Sequence, residues 1–313
     1  LLKLLMSATK DIAHPRVVSA YKDNAGGIDF DGDTVLALKG ETHNHPFAIV
    51  PRGGIETKHG GVERDKMGFG KGAYPIGGTT IIGTTYEATN PKGCLAPQRL
   101  VNEAILGTSS YCNPMGIPIL HAQYGQHEGY AKPFALGHSI GIIPKKYAIK
   151  ETPEALDKAL LIGGKTGRDG IHGATASSES ATSQSLAKDF ATVQIGDPIT
   201  QRKFMEAIPH LRDEDCIRSI TDLGAGGLGV ACAEMAQEIG IKINLNRVPL
   251  KDTNLTAWEI LLSESQERML LAVPGNKLDT TKDILKKYDV EYSEIGEFQK
   301  TRKIEVYWNL EQV

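Results

Sequence analysis

The sequence predicts an α/β or α+β protein built on mixed sheets, and three observations lead there. Beyond residue 158, short apolar runs rich in β-branched residues alternate with amphipathic stretches at helical spacing. The chain has 313 residues, 40% hydrophobic and 23% charged, a globular composition long enough for two domains of ~150 residues. Its 34 glycines exceed the usual ~7% and gather in loops rather than forming a repeat, so local backbone demands explain them.

The elements follow in order. Residues 1–6 are a short apolar start, and the run Asp23-Asn24-Ala25-Gly26-Gly27 reads as a loop. Leu1 in the first position reads as part of a longer or processed chain. Residues 34–39 form a buried strand, followed by a loop over 40–61 and a short helix over 62–67 that Gly68 and Gly70 end. Residues 74–85, rich in Ile and Thr, are a strand interrupted at Gly77 and Gly78. Leu100, Val101, Ala104 and Ile105 then repeat at helical spacing, with Pro97 near the start and Pro114 as the stop. Strands at 117–123 and 134–143 precede a hydrophilic stretch at 144–157, which is the predicted domain boundary. It divides the chain into residues 1–150 and 151–313.

In the second part, a strand at 159–162 runs into a glycine-rich loop at 163–173. A helix at 198–211 has Pro198 near its first turn, and a strand at 216–221 follows. The next helix puts Leu228, Ala231, Cys232, Met235 and Ile239 on one face, capped by Gly240. Strands at 241–245, 269–273 and 304–308, with helices at 258–262 and 277–287, complete the pattern.

Charge and composition narrow the function. Lys+Arg 35 against Asp+Glu 38 gives a net charge of −3, which leaves no broad basic field for nucleic acid. No apolar run nears the ~20 residues a bilayer span needs, and no signal pattern opens the chain. Cys94, Cys112, Cys216 and Cys232 are widely spaced without metal-binding rhythm, so they read as reduced thiols of a cytoplasmic protein.

The densest polar cluster is Lys-Gly-Glu-Thr-His-Asn-His-Pro at 39–46. In an extended segment Lys39, Glu41 and His43 share one face, with Thr42 and Asn44 opposite. A lysine, a carboxylate and an imidazole together suit anion binding, metal ligation and proton transfer. His43 and His45 are also a zinc pair in type, though a third ligand at suitable spacing is missing. Arg64-Asp65 pairs a phosphate clamp with a hard-metal ligand, or forms a solvated helix turn. The loop at 163–173, with Lys165, Arg168 and His172, serves either phosphate or backbone geometry, and it is not a Walker A loop. Gln194 and Asp222 stand at strand ends before helices, where ligands collect. Helix N-capping accounts for Asp222 equally. Glu264, Ser265 and Gln266 form either a turn or a recognition strip.

Read together, six motifs form an ordered pattern: Lys-x-Glu-Thr-His-Asn-His-Pro at 39–46, Gly-Gly-Val-x-Arg-Asp at 60–65 and Gly-Gly-x-Thr-Gly-Arg-Asp-Gly at 163–170. Val-Gln-Ile-Gly-Asp-Pro at 193–198, Thr-Asp-x-Gly-Ala-Gly-Gly-Leu at 221–228 and Leu-Leu-Ser-Glu-Ser-Gln-Glu-Arg-Met at 261–269 complete it. The pattern resembles the synthetase component of the phosphoribosylformylglycinamidine synthase family, within the aminoimidazole ribonucleotide synthetase-like superfamily, over about residues 17–296.

The resemblance implies an N-terminal domain whose mixed sheet contributes to a barrel with a partner half, and a C-terminal α/β domain with packed helices. It implies that these residues correspond to the first synthetase half. An upstream segment with a further histidine, the second half and a glutaminase then lie outside residues 1–313. The implied reaction is ATP-dependent amidation of formylglycinamide ribonucleotide in purine biosynthesis, with ammonia drawn from glutamine by a glutaminase subunit or domain. By the same resemblance Lys39 contacts ATP, and Glu41, Asp65 and Asp222 bind Mg²⁺. Thr42, His43, Asn44, His45, Arg64, Gln194, Glu264, Ser265 and Gln266 then contact substrate, with His43 as proton acceptor. Phosphoryl transfer needs such hard cations on carboxylates and cationic side chains over spreading charge. Two alternatives are a non-catalytic nucleotide-binding half and a stand-alone homodimeric relative of aminoimidazole ribonucleotide synthetase. The Thr-His-Asn-His-Pro and Glu-Ser-Gln strings argue against the second.

Overall fold

A computed structural model describes residues 1–92, 94–171, 173, 193–309 and 311–313. Among them, strands β1 (Val17–Ser19), β2 (Gly26–Asp29), β3 (Thr34–His43), β4 (Tyr74–Thr84), β5 (Ile119–Gln126) and β6 (Phe134–Pro144) build one sheet in the order β1-β2-β3-β6-β4-β5. Its pairs are antiparallel except β4 with β5. A second, seven-stranded sheet joins β7 (Lys158–Gly163), β8 (Ser219–Asp222), β9 (Ile241–Asn244), β10 (Arg268–Val273), β11 (Tyr292–Phe298), β12 (Ile304–Trp308) and β13 (Glu311–Gln312) in the order β13-β12-β9-β11-β7-β10-β8. There only β12 runs parallel to its neighbour β9. Both sheets are mixed, as the alternation of elements predicts.

The helices are α1 (Leu2–Ile12), α2 (His45–Ile49), α3 (Pro51–Gly68), α4 (Pro97–Met115), α5 (Pro198–Asp213), α6 (Gly227–Ala236), α7 (Ala257–Leu262) and α8 (Leu278–Lys287). In the second sheet β7 and β10 are buried on both faces, which is why they read as unbroken apolar runs. Leu161 and Leu270 pack toward α6 with Leu228, Ala231 and Cys232. Leu160, Ile162, Met269 and Leu271 face the other way, toward Phe204 and Ile208 of α5 and Leu285 of α8. That second core also takes in Met67 of α3 and Tyr111 and Met115 of α4, so one apolar cluster joins both sheets.

The first sheet buries one face under α3 and leaves Ile28, Leu38, Ile76, Leu120 and Ile142 exposed. No helix among the described residues is long and apolar enough to cross a membrane. All four cysteines are free thiols.

Several predicted boundaries move. The expected loop over 40–61 is the end of β3, then α2 and most of α3. Helix α3 has no apolar stripe, so periodicity hides it; tertiary packing stabilises it instead. Gly54 permits this packing, because a Cβ there would lie 2.4 Å from the backbone nitrogen of Phe47 in α2. Gly26 and Gly27 belong to β2 rather than a loop, and a Cβ on Gly27 would meet the Phe69 ring at 2.4 Å. Pro114 sits inside the last turn of α4, which continues to Met115 and closes on Gly116 at φ +68°. Strand β11 is half-buried and bulged between Glu294 and Gly296, so it carries no clean alternation.

At the end of β7, Gly163 adopts φ +99°, and a Cβ would fall 2.1 Å from the Glu267 carbonyl oxygen. Gly163→Ala is expected to lower stability by more than ~1 kcal/mol, measured by urea denaturation. An unchanged midpoint would exclude the tight approach between these strands.

Candidate active site

A cavity of about 750 Å³ opens where the two sheets meet, lined from β3, α3, β8, α6 and the strip before β10. The ten-residue strand β3 carries Lys39, Glu41 and His43 on one face, as period-2 alternation requires. Lys39 Nζ lies 3.9 Å from Glu41 Oε2, and His43 Nε2 lies 3.2 Å from Glu41 Oε1. Helix α3 brings Arg64 and Asp65 to the same space, and Lys39 Nζ pairs with Asp65 Oδ2 at 2.9 Å. From the other sheet, Asp222 ends β8. Its Oδ2 is 4.0 Å from Arg64 Nε. The N-cap alternative for Asp222 is excluded, since Gly226 holds that position on α6.

Arg64 is held from two sides. Its guanidinium donates to Gln201 Oε1 at 2.9 Å and to Gln266 Oε1. The Tyr111 hydroxyl lies 3.0 Å from the same Gln201 oxygen and donates to Glu267 at 2.8 Å. Gln194 donates to Glu264 at 3.3 Å, and Glu264 also accepts from the Gly226 backbone N–H at 3.2 Å.

The electrostatics follow from burial and crowding. Burial and the neighbouring Asp65 carboxylate push the Asp222 carboxyl up to about 7, against the pull of Arg64. Burial also raises Asp65, although Lys39 opposes it. Burial acts to raise Glu41, yet the His43 hydrogen bond and the charges of His43, Lys39 and Arg64 hold it below the usual carboxylate range. Burial acts against the Lys39 ammonium, and Asp65, Glu41 and Asp222 outweigh it, so Lys39 stays charged above its ordinary range.

Of the sequence-predicted residues, Lys39, Glu41, Thr42, His43, Arg64, Asp65, Gln194, Asp222, Glu264 and Gln266 line this cavity. Asn44, His45 and Ser265 do not. Asn44 caps α2, its side chain accepting from His45 N at 2.7 Å. His45 is the first residue of α2 and only 2% exposed. Ser265 donates to Asp169 at 2.6 Å and accepts from Gly167 N at 2.9 Å, fixing the 163–173 loop. In that loop Lys165 is exposed, Arg168 pairs with Asp252 and Glu259, and Gly173 reaches the cavity; His172 lies outside the described residues.

Sequence reasoning missed Asn24, Lys150, Gln201 and Tyr111. Asn24 sits in a run that reads as a loop, and Lys150 in the predicted boundary. Gln201 and Tyr111 lie on helices without any chemical motif.

No group of three or more His, Cys, Asp or Glu among the described residues is gathered to hold a metal ion. Among the described residues the zinc alternative for His43 and His45 therefore gains no third ligand. The donor set does suit a hard cation, because Asp65 and Asp222 present carboxylate oxygens that share one amide donor, Asn24 Nδ2. Mg²⁺ needs only one or two carboxylates when substrate phosphates supply other ligands.

Residues 157–309 match the family model described as AIR synthase related protein, C-terminal domain. Over those residues the second sheet and its helices are thus similar to the AIR synthase-related class. More particularly, the chain resembles phosphoribosylformylglycinamidine synthase. It is 37% identical over 309 residues to phosphoribosylformylglycinamidine synthase subunit PurL of Picrophilus torridus, covering 97% of this chain and 41% of that one. T. maritima PurL complexed with FGAR superimposes with a TM-score of 0.81 at 28% identity, over 98% of this chain and 49% of that chain. T. maritima PurL complexed with ATP gives 0.78 at 27%, over 98% and 48%. The chain spans about two-fifths of the length of the curated relatives it matches.

A carboxyl raised from 3.8 to about 7 binds its proton more tightly in the folded state, so it stabilises the fold at low pH. That contribution is lost as pH rises toward 7 and above. Without added cation, Asp222→Asn is expected to raise the melting temperature at pH 8 and flatten its fall between pH 5 and 8. A melting profile that keeps the wild-type slope would contradict the raised carboxyl.

Proposed function

We propose that this chain is the first half of a synthetase that converts formylglycinamide ribonucleotide to formylglycinamidine ribonucleotide, driven by ATP. The observation that carries it is the meeting of Glu41, Asp65 and Asp222 with His43, Arg64 and Gln266 around one cavity, from four separate stretches of sequence. In the solved relatives that superimpose on it, PurL is complexed with FGAR and with ATP.

The chemistry assigns each group a task. Lys39 holds the ATP phosphates, and Arg64, fixed by Gln201 and Gln266, orients the nucleotide substrate. Thr42, His43, Gln194, Glu264 and Gln266, which line the cavity, complete the substrate assignment. Asn44, His45 and Ser265 act from behind the wall by shaping α2 and the 163–173 loop. Asp65 and Asp222, with Glu41 lining the same cavity, are the carboxylates that would serve Mg²⁺, which supplies charge neutralisation for the phosphates when bound. The substrate amide oxygen attacks the γ-phosphorus, an O–P bond forms, and the bond to the leaving ADP breaks. Ammonia then attacks the amide carbon that bears the phosphorylated oxygen, a C–N bond forms, and the C–O bond breaks to release phosphate. His43, kept in place by Glu41, takes the proton that the incoming nitrogen loses.

The ammonia comes from glutamine through a glutaminase subunit or domain. The exposed apolar face with Leu38, Ile76, Leu120 and Ile142 supports docking of the second synthetase half, in a barrel. We divide the chain into an N-terminal domain, 1–150, and a C-terminal domain, 151–313; the gap between Pro144 and Lys158, where one sheet ends and the other begins, supports the division.

In the complete enzyme reconstituted with its glutaminase, Asp65→Asn and His43→Ala are each expected to lower kcat by roughly 10²–10³-fold. Circular dichroism would show the fold retained. Wild-type turnover by either variant would remove that residue from the reaction.

A further inference from the structure

We infer that Asn24 is a positioning residue that sets the Asp65–Asp222 carboxylate pair, and that Lys150 fixes its orientation; this rests on the cation-site reading proposed above. Asn24 follows β1 and precedes β2, outside every motif that points to the site. Its Nδ2 donates to Asp65 Oδ1 at 3.1 Å and to Asp222 Oδ1 at 3.0 Å. One amide group thereby ties a carboxylate on a helix over the first sheet to a carboxylate on a strand of the second. Two buried carboxylates repel, and a donor shared between them offsets that repulsion while fixing which oxygens stay available.

The other end of the amide is equally committed. Asn24 Oδ1 accepts from Lys150 Nζ at 2.6 Å, and Thr221 Oγ1 lies 3.5 Å away. A flipped amide would turn its oxygen toward two carboxylates and its N–H groups toward an ammonium, which is unfavourable at both ends. Lys150 is anchored in turn by Asp23 at 2.7 Å, and Asp23 also accepts from the Gly70 backbone N–H at 3.0 Å, just past α3. Space for the amide is provided for. A Cβ on Gly68 would lie 2.9 Å from Asn24 Cγ. With its oxygen facing Lys150, Asn24 acts as an outer support to the carboxylates rather than as a ligand.

Lys150 gives the decisive test, because its electrostatic and positioning effects have opposite signs. Removing a cation near the site should tighten divalent-cation binding by charge alone; removing the group that orients Asn24 should weaken it. Mn²⁺ binding to the full chain, read from loss of the free-ion electron paramagnetic resonance signal, is measured for Asn24→Ala, Lys150→Met, the double variant and Asp65→Asn. Asn24→Ala is expected to weaken binding by about 10–100-fold, and Lys150→Met to weaken it by a smaller factor. The double variant should be no worse than Asn24→Ala, since Lys150 acts through Asn24. Unchanged or tighter binding in Lys150→Met overturns the inference, even if Asn24→Ala fails to fold. If wild type does not bind Mn²⁺, or Asp65→Asn binds it as wild type does, the cation-site reading fails and the inference falls with it.

Discussion

A helix with charged residues on nearly every side is buried between two sheets, and the rest of the structure depends on that constraint. Helix α3 cannot rely on an apolar stripe, so each of its faces needs its own solution. Against β6, Lys58 and Lys66 run over Gly137 and Gly141, where a Cβ would sit 2.7 Å and 3.1 Å from their side-chain carbons. Glu63 accepts from Ser139 at 2.6 Å, and Lys58 donates to Thr80 at 3.1 Å. Burial lowers both lysines to about 7 and raises Glu63 to about 7, so the charged form of each is disfavoured in this layer relative to water.

The opposite face of α3 meets a different environment. Arg64 and Asp65 point into the cavity beside Lys39, Glu41 and Asp222, where solvent and partner charges remain within reach. The result is a helix whose one side disfavours charge and whose other side concentrates it. The apolar cluster shared by Met67, Tyr111, Phe204 and Met269 sets the spacing between the sheets. Carboxylates far apart in sequence, Asp65 and Asp222, are consequently held near one another at a cost in repulsion, which is the arrangement a cation would relieve.

What the sequence discloses depends on where the ordering force lies. Strands β7 and β10 are legible because burial on both faces writes a continuous apolar run. The shared face of Lys39, Glu41 and His43 is legible because β3 obeys a period of two. Helix α3 is legible only in its last part, 62–67, because packing against β6 and α4 replaces the amphipathic signal over the rest. Asn24 and Lys150 escape for a related reason: their hydrogen bonds join distant segments, and locally they look like a loop and a domain boundary. Ser265 shows the converse, a residue inside a chemically rich motif whose hydroxyl is taken up by the Asp169 and Gly167 loop contacts.

Anomalous diffraction from crystals of the protein grown with Mn²⁺ and ATP addresses the convergence of charge most directly. The expected map places an anomalous peak within ligand distance of the Asp65 and Asp222 carboxylates, with nucleotide phosphate beside Lys39. Manganese found only on exposed surface carboxylates, with nucleotide bound elsewhere, would contradict the assignment of this cavity.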